Sequence, residues 1–349
     1  MVLFPKLVLR TWLTIFSTMQ LVQSVPLPRI GYYADTSPNG FFKYVDKNQR
    51  NYYSFYSAAP TEPPIPVPIK TVKHKHIPHS ETWAQYENGH SLNSSFSYRE
   101  EDDFGPSNWG SMNRNCEGIF QSPINLHTNK SIIVKKKRPL SIEGLQNRPR
   151  KMLVFNEGGT AAFFPEYGDG QRPRLRGGPL KMDYMFQQFH YHLGSEHTLD
   201  GKRSAAELHL VFYNSLYESI DDARDQVDGL AVIGLTFDVI KSTRVESFNK
   251  WTKYLNKIVE VHSEYNLPKN GLFPLAAVLG NVDWPFFAYE GSLTTPPCSE
   301  TVQWIVASER MLLTKNELKL MRKLKGRGAE WVQNARPTQP VNHRRVYIY

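Results

Sequence analysis

The chain has 349 residues, enough for one large domain or two smaller ones, and its 40% hydrophobic and 13% aromatic content can supply a sizeable core. Its net charge of +9 would suit an acidic partner, but the charge is spread along the sequence. Basic runs such as residues 135–138 are most simply solvated loops. No nucleic-acid-binding motif accompanies them, which argues against a nucleic-acid partner.

The N-terminus has the features of a secretory signal peptide, which we predict over residues 1–24. Lys6 and Arg10 precede an apolar stretch at residues 12–22, and a cleavage region follows at residues 23–24. Polar threonine, serine and glutamine side chains interrupt the stretch, so a membrane anchor is a poor interpretation. No later stretch is long and apolar enough to span a membrane. We therefore expect a secreted, extracellular protein.

Residues 25–93 form a predicted basic extension that is rich in Tyr and Pro, follows no helical or strand period, and is expected to be flexible. Its proline-rich part, residues 59–68, is expected to be an extended polyproline linker. The run Lys-His-Lys-His at residues 73–76 admits a metal or polyanion site, but we interpret it as solvated linker. In a secreted protein, the sequons at Asn93 and Asn129 are available for glycosylation.

The chain contains two cysteines, Cys116 and Cys298. In an oxidising compartment a lone pair most simply forms one disulfide, and the alternative is two unrelated buried thiols. A bond between them would close a very long loop. The chain-entropy description then gives a stabilisation of up to about 5 kcal/mol.

The remaining residues, 94–349, contain many short apolar runs separated by Gly and Pro, a pattern that predicts a large β-sheet protein. Two helices are expected to interrupt the strands. In the first, apolar residues recur at helical spacing over residues 248–259. The second begins with a capping box from Thr314 to Glu317 and is expected to end just before Gly326.

Two short runs place histidines on neighbouring strands. With the period of two of a β-strand, Gln188, His190 and His192 share one face of the first run, while Glu207 and His209 share one face of the second. A lone His-x-His pair is often a chance pair on a solvated face. The third histidine, with a carboxylate two residues before it, favours a metal site whose three imidazoles and open fourth position suit catalytic zinc. Gln188 and Glu207 are then expected to accept the outer ring protons of His190 and His209.

These runs and three further motifs together resemble the α-class carbonic anhydrases, in particular the secreted members with one disulfide. The motifs follow the order of that family over about 250 residues. They are QSPIN at residues 121–125, FHYHLGSEH at 189–197, AELHL at 206–210, DGLAV at 228–232 and GSLTTPP at 291–297.

The resemblance implies a mainly β fold with a few helices, built on a large central, twisted and mostly antiparallel sheet of about ten strands. It assigns His190, His192 and His209 as ligands of Zn²⁺. It also assigns Glu196 and Thr294 as the catalytic pair that orients the nucleophile. The residues that it implies for the substrate pocket are Val211, Val232, Leu293, Thr295 and Trp304, of which all but Thr295 form its apolar wall for carbon dioxide. The pair Cys116 and Cys298 resembles the disulfide of secreted members.

The implied reaction is the reversible hydration of carbon dioxide to bicarbonate and a proton, with zinc activating the attacking water. Fast members of the family export the proton through a histidine in the motif N-x-G-H. Here residues 156–159 read NEGG, so Gly159 stands at the histidine position. We expect an active enzyme that lacks this shuttle and is limited by proton export, with Glu157 as a candidate substitute.

The alternative interpretation is a related binding protein of the extracellular matrix, in a calcifying tissue for instance, with weak or no catalysis. Inactive relatives typically lack one or more zinc histidines, whereas all three are present here. In a mixed interpretation, the extension and the positive charge dock an active enzyme on an anionic extracellular matrix.

Overall fold

The computed structural model describes residues 42–45, 52–55, 96–136, 138–240, 249–326 and 334–349. The predicted signal peptide, most of the predicted extension and the sequon residue Asn93 lie outside these residues. The chain divides into two compact units, Met1–Ile77 and Pro78–Tyr349. Within the first unit, the structure describes one antiparallel hairpin.

Strands are the predominant regular structure of the described residues. In chain order, the strands are β1 (Phe42–Val45), β2 (Tyr52–Phe55), β3 (Asn125–Leu126), β4 (Ile132–Ile133), β5 (Ser141–Glu143), β6 (Lys151–Asn156), β7 (Ala161–Glu166), β8 (Arg174–Arg176), β9 (Tyr184–Leu193), β10 (Thr198–Leu199), β11 (Lys202–Arg203), β12 (Ala206–Asn214), β13 (Leu230–Val239), β14 (Glu264–Asn266), β15 (Phe286–Gly291), β16 (Val302–Ala307), β17 (Met311–Leu313) and β18 (Tyr347–Ile348).

The helices among the described residues are short. The α-helices are α1 (Trp109–Met112), α2 (Ile220–Ala223), α3 (Ala276–Leu279) and α4 (Lys315–Met321). The 3₁₀ helices are η1 (Pro106–Asn108), η2 (Arg114–Glu117), η3 (Lys250–Lys257) and η4 (Lys269–Gly271). None of the helices in the described ranges has the length and apolarity needed to cross a membrane.

One large sheet contains 13 strands, of which ten follow the order β14-β6-β7-β9-β12-β13-β16-β15-β18-β4. Strand β17 pairs with β13, and β8 joins β5 to β9. Most neighbours are antiparallel, whereas β13 runs parallel to β16 and β17, and β18 runs parallel to β4. The predicted mainly β fold with a large, mostly antiparallel sheet is confirmed, and the sheet is larger than the ten or so strands expected.

Strands β9 and β12 lie at the centre of this sheet, and alternation sorts their side chains. Phe189 and Tyr191 of β9 and Leu208 and Leu210 of β12 are buried in one apolar core. The histidines between them therefore lie on the opposite face.

A β-bulge in β9 interrupts the strict alternation of that strand. Val211 pairs with Gln188, but the next residue, Phe212, pairs with Phe186, so Gln187 is the extra residue. Strict alternation would place Phe186 on the histidine face. The bulge instead returns it to the core, where its ring centroid lies 5.2 Å from that of Phe212.

Both predicted helices exist, with different bounds or geometry. The first is the 3₁₀ helix η3, and its predicted start at residue 248 lies outside the described residues. Helix α4 has the predicted capping box, in which the Thr314 hydroxyl accepts from the Glu317 amide and the Glu317 side chain accepts from the Thr314 amide. Its end at Met321 comes earlier than predicted, because the chain turns at Arg322 before it reaches Gly326.

The predicted disulfide joins Cys116 in η2 to Cys298, which is fully buried in the loop before β16. The two cysteines form one buried cluster with Trp109, and the bond ties the first segment of the domain to this loop.

Replacing Cys116 and Cys298 together by serine should lower the free energy of unfolding by about 2–5 kcal/mol, because the bond closes a loop of 182 residues in the unfolded chain. Urea unfolding of oxidised wild type and of the double variant measures the difference. Reductant should destabilise the wild type alone. A variant within about 0.5 kcal/mol of the oxidised wild type would contradict the prediction.

Candidate metal centre

Three histidines from the two central strands meet at one point. The pairing of β9 with β12 sets His190 opposite His209, and His192 opposite Glu207. One ring nitrogen from each of His190, His192 and His209 lies within 4.8 Å of the other two. The ring centroids of His192 and His209 are 4.5 Å apart, and both side chains are buried.

In each of these rings one nitrogen faces an oxygen acceptor. The three pairs are His190 Nδ1 with Gln188 Oε1 at 3.0 Å, His192 Nδ1 with the Asn334 carbonyl oxygen at 2.7 Å, and His209 Nε2 with Glu207 Oε1 at 2.9 Å. A carbonyl or carboxylate oxygen only accepts, so the nitrogen that faces it is the N–H nitrogen of the neutral ring. This assignment fixes the tautomer and the orientation of all three imidazoles.

The remaining ring nitrogens therefore point lone pairs at one another. His192 Nε2 and His209 Nδ1 lie 3.1 Å apart, and neither has a proton to donate when both rings are neutral. Burial lowers the pKa of His190, His192 and His209, which disfavours a proton as the cation between them. Three convergent neutral imidazoles are a donor set that fits a zinc ion.

Glu207 holds more than one histidine. Its Oε1 atom also accepts from His197 Nδ1 at 2.7 Å, and its Oε2 atom accepts from the His197 amide at 2.8 Å. Burial acts to raise the pKa of Glu207, but His197 and His209 hold it well below its usual value. The carboxylate therefore stays anionic. Sequence reasoning missed His197, although it lies inside the first histidine run.

His197, Glu207 and His209 also lie close enough together to hold a metal ion. Within this group the carboxylate is hydrogen-bonded to both rings, so its oxygens already have partners. We assign the group as the hydrogen-bonded support of His209. Its chain of contacts continues from His197 Nε2 to the Tyr289 hydroxyl at 2.7 Å.

Glu196 lies fully buried beside the histidines, and its Oε1 atom is 3.6 Å from His192 Nδ1. Burial raises the pKa of this carboxyl to about 7, while His209, the Arg336 amide and the Thr294 hydroxyl act to lower it. The Arg336 amide donates to Glu196 Oε1 at 2.9 Å. The structure thus brings Glu196 and Thr294 together at the histidine cluster.

Sequence reasoning missed Asn334 and Arg336, which lie about 140 residues beyond the side chains that they contact. Arg336 is buried and donates from Nη1 to Gln121 Oε1 and to the Ser122 carbonyl, both at 2.9 Å. No local pattern in the sequence could have linked these positions to the histidines.

The apolar residues predicted for the substrate pocket lie next to this centre. Val211, Val232 and Trp304 are in register across β12, β13 and β16, and they form one buried cluster against which Leu293 packs. The ring centroid of Trp304 lies 4.9 Å from that of His209. Thr295 is half-buried in the loop between β15 and β16.

Gly159 lies in the turn between β6 and β7, which the Glu157 amide closes by donating to the Thr160 carbonyl at 2.9 Å. The Gly159 carbonyl accepts from the Asn334 side chain at 2.8 Å. A Cβ atom at position 159 would have no heavy atom within 4 Å, so the position has open space beside it. The remaining predicted surface site, Asn129, is exposed in a turn before β4.

The sequence of the chain is similar to those of known proteins over the residues that form this site. Residues 104–349 match the family model of the eukaryotic-type carbonic anhydrases. The chain is 34% identical to human carbonic anhydrase 3 over 257 residues, which cover 69% of this chain and 94% of the relative. It is 29% identical to mouse carbonic anhydrase 6 over 277 residues, or 74% and 82% of the two chains. The protein belongs to the eukaryotic-type carbonic anhydrase family.

Replacing Glu207 by glutamine should weaken zinc binding by about 10–100-fold, because the neutral amide loses the charge that orients and polarises His209. Competition with a chromophoric chelator measures the zinc affinity. The matched control is Glu166→Gln, which removes an exposed carboxylate paired with Lys151. Zinc affinity of Glu207→Gln within about twofold of the control would contradict the assignment.

Proposed function

We propose that this chain is a secreted zinc carbonic anhydrase that catalyses the reversible hydration of carbon dioxide to bicarbonate and a proton. One observation supports the proposal above the others. Three imidazoles converge, with His192 and His209 buried and His190 half-buried, and the outer nitrogen of each is hydrogen-bonded to an acceptor. The three inner nitrogens are therefore all available to one cation.

His190, His192 and His209 would hold the zinc ion. When bound, zinc supplies Lewis acidity that yields a nucleophile from water near neutral pH, as is established for carbonic anhydrases generally. The protein supplies orientation. Thr294 lies by Glu196, and a hydroxyl that gives its one proton to a carboxylate can only accept from the attacking oxygen. Thr294 thereby directs a lone pair of the nucleophile towards the substrate.

The apolar wall beside the histidines would bind carbon dioxide. Val211, Val232 and Leu293 have no polar side-chain group that could bind water in the pocket. The indole N–H of Trp304 is already paired, because it donates to the Ser292 carbonyl at 3.0 Å. An apolar wall therefore suits a molecule without a net dipole. Thr295, at the edge of the same loop, is proposed to lie at the entrance of the pocket.

Secretion is supported by the predicted signal peptide and by the disulfide, because disulfides persist mainly in oxidising compartments. Asn93 and Asn129 are then proposed glycosylation sites. Asn129 is exposed and lies in a turn, which gives a modifying enzyme access to its side chain.

Proton export is proposed to limit turnover. An activated water with a pKa near 7 releases its proton to bulk water at no more than roughly 10²–10³ per second, because the reverse reaction, recombination with a proton, cannot exceed the diffusion limit. Gly159 offers no proton carrier at the position where fast members have a histidine. Glu157, at the start of the same turn, is the nearest titratable side chain in the sequence and a candidate carrier.

The proposal predicts about one zinc ion per chain and carbon dioxide hydration that a sulfonamide inhibits. His192→Ala should lose zinc and reduce hydration by at least about 10³-fold, because it removes a ligand. His127→Ala, away from the cluster, is the control. Metal analysis and stopped-flow hydration assays on the same samples measure both quantities. A zinc-loaded wild type without hydration activity would favour the binding-protein alternative.

Turnover of the wild type should rise with buffer concentration, and Gly159→His should raise turnover at low buffer by about tenfold or more. The open space at position 159 accommodates the new side chain. Gly159→Ala, which adds no titratable group, is the control. Wild-type turnover that is independent of buffer and is unchanged by the histidine would overturn the proposed limit.

A further inference from the structure

In η3, in α4 and in residues 322–325, every exposed charged side chain is positive. Every exposed side chain in Lys250–Lys257 and in residues 315–325 is Lys, Arg or Asn. We call the surface of these segments the basic face. Its eight cationic residues are Lys250, Lys253, Lys257, Lys315, Lys319, Arg322, Lys323 and Lys325.

The two helices arrange these charges in rows. In a 3₁₀ helix, residues three apart align on one side, so Lys250 and Lys253 lie about 6 Å apart along η3. In an α-helix, residues four apart share a face, so Lys315 and Lys319 also lie about 6 Å apart along α4. The row of η3 adjoins the end of α4, because Lys323 donates to the Asn256 side chain at 3.3 Å.

Among the described residues, few acidic side chains neutralise these rows. Lys325 forms an ion pair with Glu260 at 2.7 Å. Glu317, the acidic residue of α4, is buried, and its two oxygens accept the backbone amides of Asn249 and Thr314. Lys253 lies over the ring of Tyr254 at 4.8 Å, which restrains its side chain without neutralising the charge.

We propose that the basic face binds a linear sulfated polysaccharide. Closely spaced cations in rows complement a polymer with closely spaced anions, and the release of counterions from such a polymer favours binding. The proposal rests on the secretion part of the proposed function, because sulfated polysaccharides are extracellular.

The composition of the basic face argues against other anionic partners. Single-stranded nucleic acids bind where aromatic side chains stack on bases, and no exposed side chain of these two segments is aromatic. A membrane-binding surface adds exposed apolar side chains to its charges, and these segments expose none. The predominance of Lys over Arg suits charge attraction to sulfate more than base recognition.

The basic face lies behind the strand that bears the metal ligands. Tyr191, between His190 and His192 in β9, points to the opposite face, where its hydroxyl donates to the Met321 carbonyl of α4 at 3.0 Å. Its ring centroid lies 5.9 Å from that of Trp251 of η3. A polymer on the basic face would therefore leave the histidine side of the sheet open.

The test uses the full chain and the triple variant Lys253→Gln, Lys257→Gln, Lys319→Gln. Heparin affinity is measured by equilibrium titration over a range of salt concentrations. We expect the variant to bind at least about tenfold more weakly, and the slope of log affinity against log salt to fall by about 2–3. Carbon dioxide hydration should be unchanged. Heparin binding by a chain without hydration activity would contradict only the proposed reaction, and the proposed binding of a sulfated polysaccharide would still hold.

Two matched variants lose the same net charge elsewhere. They are Lys130→Gln, Lys136→Gln, Lys202→Gln on other surfaces, and Lys70→Gln, Lys73→Gln, Lys75→Gln in the extension. Both should bind heparin within about twofold of the wild type. Equal losses in all three variants, or a loss confined to the extension variant, would overturn the proposal. So would equal binding of desulfated heparin, or tighter binding of duplex DNA or phosphatidylserine vesicles through the same three lysines.

Discussion

The candidate metal centre depends on two ring nitrogens that the fold holds close together although they repel each other. His192 Nε2 and His209 Nδ1 lie 3.1 Å apart, and an acceptor on the far side of each ring keeps both of them unprotonated. Such an arrangement is unfavourable in a neutral site and becomes favourable when a cation is held between the rings. The surrounding structure must therefore be rigid enough to hold this geometry before metal binds. Hydrogen bonds to the histidines and to their neighbours provide this rigidity.

Those hydrogen bonds come from distant parts of the chain. Glu207 connects His209 to His197, and His197 connects to Tyr289, whose hydroxyl donates to Ser122 Oγ at 2.9 Å. The same Ser122 oxygen accepts the Ser292 amide at 3.0 Å, at the start of the loop that bears Thr294 and Cys298. The disulfide between Cys116 and Cys298 adds a covalent link between that loop and the segment before Ser122. Strand β12 and the loop that bears Thr294 are thus fixed to each other through buried polar groups, each with a partner.

The sequence predicted the parts of this site that follow from local periodicity. Alternation along β9 and β12 placed the three histidines, Gln188 and Glu207 on one face, because a central strand with one core face leaves no other register. It could not predict the bulge at Gln187, which depends on how β9 pairs with β12. Nor could it predict that Asn334 completes the site, because that contact arises only when the C-terminal segment folds back. Residues 250–257 form a 3₁₀ helix although their apolar spacing also fits an α-helix, because packing against the sheet decides between the two.

The basic face and the histidine site lie on opposite sides of strand β9. Side chains alternate along β9, so Tyr191 anchors the helices of the basic face on one side while His190 and His192 face the other. A partner held by the lysines would therefore not compete with carbon dioxide for the same surface. Under the proposed function, protons would leave through Glu157 of the Gly159 turn or through buffer that reaches the open histidine side of the sheet.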